Sequence, residues 1–236
     1  MIYSVPRAMH RNRAKRTIGN ADDVPHLCMF NDRKDAGQKL ARKLSAYREQ
    51  DAVVLALPRG GAVPGYEIAE ALGLSLDIVV VRKVGHPDNP EYALCAVDDT
   101  GMRLCNEAEA AAVDQTWLAE ETVRQVREAK RRVAVYRGGR KPILIAGKTA
   151  LIVDDGIATG LSMRLAVRSV RAQGTKRVVV AVPVAPPEAL RDLLKEGADD
   201  IIVLVPPEEF LGAVGSHYLR FDQITDDEVI ALMQPR

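Results

Sequence analysis

Residues 149–168 read Thr-Ala-Leu-Ile-Val-Asp-Asp-Gly-Ile-Ala-Thr-Gly-Leu-Ser-Met-Arg-Leu-Ala-Val-Arg, and their order decides the fold. An apolar strand, residues 150–153, runs straight into two adjacent carboxylates, Asp154 and Asp155. Gly156, Thr159, Gly160 and Ser162 fill the short loop that follows, and a helix begins close behind. In open parallel sheets ligands bind at the carboxyl ends of strands. A glycine-containing loop that opens a helix offers free backbone N–H groups to an anion, reinforced by the helix dipole. Thr159 and Ser162 add hydroxyl donors. The loop therefore suits a phosphate, and the two acids suit hydroxyls or a hydrated cation, which together describe a sugar phosphate. The same residues would also serve a plain strand-to-helix turn with solvated acids and a cap at Thr159 or Ser162. A Walker A loop is excluded, because the spaced Gly-Lys-Ser/Thr is missing.

The pattern on either side repeats the strand–loop–helix unit. Upstream, residues 52–57 (Ala-Val-Val-Leu-Ala-Leu) read as a strand buried on both faces that stops at Pro58-Arg59-Gly60-Gly61. A helix is expected over about 63–72, and a second buried strand over 76–81 ends at Arg82-Lys83. Asp32 is placed to cap an earlier helix over about 33–47, with Ala36, Leu40 and Leu44 on one face. Residues 84–92 hold two prolines with Gly, Asp and Asn, and predict a mobile loop. Residues 93–97 and 102–105 form an expected hairpin around Asp98-Asp99-Thr100-Gly101. Residues 107–137 predict one long charged helix with Val123, Val126, Val133 and Tyr136 on a stripe, and i,i+4 pairs Glu120–Arg124 and Glu128–Arg132. Beyond it, strands at 149–153, 177–182 and 201–205 alternate with helices at about 160–173 and 187–196. The expected class is α/β: an open, mainly parallel Rossmann-like sheet flanked by helices.

A length of 236 residues fits one large domain with or without an appendage, and 47% hydrophobic against 4% aromatic residues demands an aliphatic core. No apolar run approaches the roughly 20 residues of a membrane span, and the start of the chain lacks the apolar stretch of a secretory signal. Cys28, Cys95 and Cys105 form no Cys-x-x-Cys pair and leave an odd count. A disulfide framework is therefore not expected, the cysteines are read as small apolar residues, and a reducing cytoplasm is the default. The net charge of +1 hides a basic arm: residues 1–20 carry Arg7, Arg11, Arg13, Lys15 and Arg16 and no acid. Residues 1–28 are expected to be a disordered arm ahead of a domain over 29–236. The arm reads as a solvated tail, with an anionic surface or nucleic acid as the alternative partner. Its Arg-rich composition also allows a mitochondrial address, although the amphipathic pattern is poor.

Residues 152–162 resemble the phosphoribosyl pyrophosphate motif of type I phosphoribosyltransferases: apolar residues, two acids, three small or apolar residues, then Thr-Gly and a nearby Ser. The resemblance covers residues 29–233. Leu57-Pro58-Arg59-Gly60-Gly61 is similar to the family's pyrophosphate loop, where the peptide is often cis. Arg82-Lys83 and the loop after it look like the mobile flap. Residues 82–92 are most similar to a bacterial subgroup that is sometimes fused to a hydrolase.

The resemblance implies a small hood over the sheet, a flap, and a Mg²⁺ cofactor. It also implies transfer of the 5-phosphoribosyl group from phosphoribosyl pyrophosphate to a nucleobase-like nitrogenous acceptor, with release of pyrophosphate. Asp154 and Asp155 would then hold the ribose 2′- and 3′-hydroxyls directly or through Mg²⁺. Gly156, Ile157, Ala158, Thr159, Gly160 and Ser162 would cradle the 5′-phosphate. Arg59, Gly60 and Gly61 would bind pyrophosphate, with Arg82 and Lys83 completing its neutralisation. The implied partners are phosphoribosyl pyrophosphate, a small-molecule acceptor and a second copy of the chain; neither a membrane nor a nucleic acid is expected. Two alternatives stay open: a non-catalytic module that senses phosphoribosyl pyrophosphate, touching RNA through the arm, and a scaffold for another enzyme. Ala158 stands where hypoxanthine-guanine enzymes carry an Asp, which puts 6-oxopurine salvage in doubt and leaves Glu91 in the flap as the candidate general base. His86 lies in the same flap and reads as solvent-exposed. The acceptor hood is sought in the 95–105 hairpin, the start of the long helix, or residues 208–221, where Tyr218 and Phe221 either stack on a ring or join the core.

Overall fold

The structure, a computed structural model, describes residues 2–3 and 30–234. In chain order its elements are β1 (Ile2–Tyr3), α1 (Arg33–Lys43), β2 (Ala52–Ala56), α2 (Ala62–Leu72), β3 (Ser75–Ile78), β4 (Val81–His86), β5 (Asn89–Asp98) and β6 (Arg103–Cys105). There follow α3 (Glu107–Ala111), α4 (Gln115–Arg137), β7 (Thr149–Val153), α5 (Leu161–Ala172), β8 (Arg177–Val182), α6 (Pro187–Lys195), β9 (Asp200–Val203) and α7 (Asp226–Leu232).

Five strands pair in parallel in the order β3-β2-β7-β8-β9. β2 and β7 are buried at every position, as continuous β-branched and aliphatic runs require in a sheet covered on both faces. Alternate residues face opposite ways. Val53, Leu55, Ile152 and Val180 pack under α5 and α6, while Val54, Leu151, Val153 and Val179 pack under α1 and α2. Each such side chain contributes about 1.5–3 kcal/mol relative to exposure. Asp32 caps α1 by accepting from the Asp35 N–H at 3.0 Å, and Ala36, Leu40 and Leu44 are buried, as the sequence predicts.

Four expectations about elements and pairings are corrected. Residues 84–92 are largely strand: β4 and β5 form an antiparallel hairpin that turns at Pro87-Asp88, with register shifts around Gly85. The composition reads as a loop because Pro90 lacks an N–H and Gly85 lacks a Cβ, yet both fit the pairing. β6 joins β5 only at residues 95–97, beyond Pro90, and a Cβ on Gly85 would stand 2.2 Å from the Pro90 carbonyl oxygen. The strand expected over 76–81 ends at Ile78, and Val81 begins the second sheet, β4-β5-β6. The long helix breaks after α3, where Asp114 caps α4 by accepting from the Trp117 N–H at 2.7 Å. Within α4 the Glu128–Arg132 pair forms, whereas Arg124 turns to Glu121 in place of Glu120.

Cys95 and Cys105 form a disulfide, against the expectation of small apolar packing. They stand directly opposite across β5 and β6, a juxtaposition that comes from the hairpin register and leaves no Cys-x-x-Cys spacing to read. Cys28 lies outside the described residues. So does most of the basic arm, but Ile2–Tyr3 pair antiparallel with Ile201–Ile202 of β9, which corrects the reading of the whole arm as detached. Among the described residues no helix is long and apolar enough to cross a membrane.

Candidate sugar-phosphate site

Numbered along the chain, the parallel strands lie in the order 2-1-3-4-5, so the sheet reverses direction between its first and third members, β2 and β7. Ligands in such sheets sit outside the carboxyl ends of the strands at that switch point. Ala56 and Val153 are in register, so the loop at 58–61 and the loop at 154–160 leave the sheet side by side. They touch: a Cβ on Gly60 would stand 2.0 Å from Asp155 Oδ2, and one on Gly61 would stand 2.9 Å from the Asp154 Cα. Gly61 meets backbone and is closed to any larger residue, whereas a side chain at position 60 would have to displace the Asp155 carboxylate. The Pro58–Arg59 peptide is cis.

The second loop leads into α5 through Gly160, whose φ of +82° suits glycine. The first hydrogen bond of α5 runs from the Arg164 N–H to the Gly160 carbonyl. Among the described residues the N–H groups of Ala158, Thr159, Gly160 and Ser162 meet no protein acceptor. They edge a small cavity of about 150 Å³ together with Lys83, Asp154 and Gly156. Two of the residues expected to contribute amides do not. The Ile157 N–H donates to the Val184 carbonyl at 2.9 Å and its side chain is buried, and the Gly61 N–H donates to Leu57 at 3.0 Å.

Beside this lies a larger cavity of about 680 Å³. Arg59 and Gly60 border it from the first loop, Arg82, Lys83 and Glu91 from the β4–β5 hairpin, and Trp117, Glu121, Gln125 and Arg132 from α4. Lys83, Asp154 and Ser162 border both cavities and so join them. Arg82 donates to Gln125 Oε1 at 3.0 Å, and its guanidinium is held below its ordinary pKa by burial and by Arg132 nearby. Arg59 lies 3.8 Å from Asp226 at the start of α7.

The two acids are not equivalent. Asp154 faces both cavities, whereas Asp155 borders neither. Asp155 Oδ2 accepts from Arg33 Nε at 2.7 Å, and Arg33 Nη1 donates to the Asp222 carbonyl at 2.6 Å. The Phe221 ring covers that guanidinium, with Cζ 3.8 Å from its centroid. The Tyr218 hydroxyl donates to the Asp155 carbonyl oxygen at 2.6 Å. Tyr218 is therefore core beneath the acids, and Phe221 lies on Arg33. Burial, then the adjacent Asp155 charge, lift the Asp154 carboxyl well above its usual 3.8; burial also lifts Asp155, against the pull of Arg33.

Arg33 was invisible as a site residue in the sequence, since it stands 122 residues before Asp155 and reads only as the first residue of a helix. The α4 residues were hidden too, because a polar helical stripe reads as a solvated face.

Among the described residues no group of three or more His, Cys, Asp or Glu side chains is placed to hold a metal ion. Mg²⁺ is commonly held by one or two carboxylates together with substrate phosphate oxygens and water. Asp154, partly buried and opening beside free amides with Asp155 held behind it, fits an ion held jointly with a phosphorylated ligand.

A family model for the phosphoribosyl transferase domain matches residues 29–206. Two curated proteins of Mycobacterium tuberculosis, from strains CDC 1551 / Oshkosh and ATCC 25618 / H37Rv and each provisionally named a phosphoribosyl transferase, are 40% identical over 207 residues. Those alignments cover 87% of this chain and 46% of each relative, so the chain spans about half the length of the curated relatives it matches. The crystal structure of TT1426 from Thermus thermophilus is 43% identical with a TM-score of 0.71, covering 87% of this chain and 97% of that one.

Proposed function

The chain belongs to the phosphoribosyl transferase family, and from that premise we propose that its joined cavities transfer the 5-phosphoribosyl group of phosphoribosyl pyrophosphate to a nucleobase-like nitrogenous acceptor. The observation that carries this reading is Asp154, a partly buried carboxyl shared between a pocket of free helix-terminal amides and a larger cavity edged by cations.

In this reading the amides of Ala158, Thr159, Gly160 and Ser162 hold the 5′-phosphate, with the dipole of α5 behind them. Asp154 meets the ribose hydroxyls or the cation, and Asp155 is the second acid, held by Arg33. Arg59, Gly60, Arg82 and Lys83 surround the pyrophosphate. Mg²⁺, where Asp154 and the ligand's own oxygens hold it, would supply positive charge to the departing diphosphate. The acceptor nitrogen attacks C1′ as the bond from C1′ to the pyrophosphate oxygen breaks, and pyrophosphate leaves with that bonding pair. The proton displaced from the acceptor nitrogen goes to Glu91 at the cavity edge. Fixed cations around the departing charge lower the barrier, and the β4–β5 hairpin carrying Lys83 excludes water when it closes. A homodimer is part of the same reading and is checked by light scattering.

The test is pyrophosphate release from phosphoribosyl pyrophosphate and Mg²⁺ across a panel of nucleobases and amines. Release that depends on one acceptor supports transfer. Tight binding with no release for any acceptor replaces transfer with sensing, and no binding overturns the reading.

A further inference from the structure

The larger cavity has a wall for which phosphate, ribose and pyrophosphate leave no role. α4 lends it Trp117, Glu121, Arg124, Gln125 and Arg132; of these Trp117, Glu121, Gln125 and Arg132, spaced four, four and seven residues apart, share one stripe of the helix, and Arg124 stands beside it. Trp117 is the chain's single tryptophan, and no Tyr or Phe joins it in lining the cavity. Its other side packs against the cluster of Val84, Leu94, Cys95 and Leu118, so the ring is held from behind. Glu121 is 8% exposed and yet carries a carboxylate, which is costly to bury without partners. Gln125 Nε2 donates to its Oε1 at 2.7 Å, Arg124 pairs with its Oε2, and Gln125 is itself fixed by Arg82. The carboxylate is thereby immobilised, and each oxygen still has a lone pair to offer.

We propose that this stripe is the acceptor subsite: Trp117 stacks on the face of a planar nitrogen heterocycle, and Glu121 accepts a hydrogen bond from an N–H on its edge. The assignment rests on the phosphoribosyl reading of the same cavity and narrows it. A neutral ring that presents an N–H fits. A ring with a carboxylate on that edge meets Glu121 with like charge, and an aliphatic amine gives Trp117 no face to stack on.

Because Trp117 is the only tryptophan, its fluorescence reports occupancy directly. The protein is loaded with Mg²⁺ and pyrophosphate, which cannot react, and titrated with adenine, hypoxanthine, uracil, orotate or ethanolamine. Saturable quenching by a neutral ring, with none by orotate or ethanolamine, is expected. By calorimetry, Glu121→Gln should weaken that ring by roughly tenfold or more, the worth of a hydrogen bond to a charged group. Trp117→Phe should retain it, Trp117→Ala should lose it, and all three variants should bind Mg²⁺-pyrophosphate as the parent does. If no ring quenches, or Glu121→Gln binds the ring unchanged while pyrophosphate still binds, the acceptor lies elsewhere and only this inference falls. If a ring quenches but neither phosphoribosyl pyrophosphate nor pyrophosphate binds, the ring site stands and the phosphoribosyl reading falls.

Discussion

Replacing Arg33 by glutamine removes the one cation that, among the described residues, contacts Asp155, while keeping a side chain able to hydrogen-bond. Both partners are mostly buried, with side-chain exposures of 10% and 14%. The change removes a charge-assisted bond to the carboxylate, a second bond to the Asp222 carbonyl and the contact with the Phe221 ring. Leaving one member of a buried pair alone costs about 3–5 kcal/mol. Asp155 limits the loss, since burial already lifts its pKa and it can take up a proton. We therefore expect about 3 kcal/mol at neutral pH, near the lower end of that range. For a domain of this size that corresponds to a fall in Tm of roughly 6–12 °C. Thermal denaturation of the parent, Arg33→Gln, Asp155→Asn and the double variant closes a cycle. In the Asp155→Asn background the Arg33 change should cost at least about 1 kcal/mol less. A Tm within about 2 °C of the parent, or strictly additive losses, would refute the view that Arg33 holds the second acid.

The acid pair also sets a pH dependence. Its folded pKa values are raised above 3.8, so the folded state binds more protons than the unfolded one, and stability falls as pH rises from that value through the folded pKa. Binding Mg²⁺ with phosphoribosyl pyrophosphate favours the ionised acids. It should therefore release protons and tighten with rising pH, and equal calorimetric heats in buffers of different ionisation enthalpy would contradict this. Lys83→Ala should weaken pyrophosphate binding by about tenfold and ribose 5-phosphate binding less, with Arg59→Ala as the control outside the hairpin; equal losses for both ligands would remove Lys83 from the pyrophosphate. Deleting residues 1–24 removes only the two-residue edge pairing of Ile2–Tyr3 from the described fold, so Tm should fall by no more than about 2–4 °C, and a collapse in solubility or melting would show that the arm is integral.

The parts of the fold that could be read from the sequence were those specified locally. The run Val53-Val54-Leu55 reads as a doubly buried strand, Asp32 announces the helix that starts at the next residue, and the acids and glycines at 154–160 sit where strand gives way to helix. Long-range partners were not readable. Pro87 and Pro90 denote a loop until β4 and β5 pair around them. Asp155 looks like a twin of Asp154 until Arg33 and Tyr218 arrive from opposite ends of the chain. The amides of Ile157 and Gly61 look available until Val184 and Leu57 accept them. The α4 stripe is polar, and only the second sheet packed beside it shows that it borders a cavity and not open solvent.

The distances along the chain that the site brings together have a consequence for biosynthesis. Arg33 is bound to a carbonyl 189 residues later, and Arg59 leans on Asp226. A nascent chain that has emerged as far as Val203 already contains all five parallel strands and can bury their apolar faces. It still lacks Tyr218, which holds the Asp155 backbone, Phe221 and Asp222, which hold Arg33, and the helix that steadies Arg59. During translation, then, the sheet comes before the site: a ribosome stalled in that interval displays a folded α/β body whose second acid is not yet clamped, and the segment around 218–226 is what commissions it.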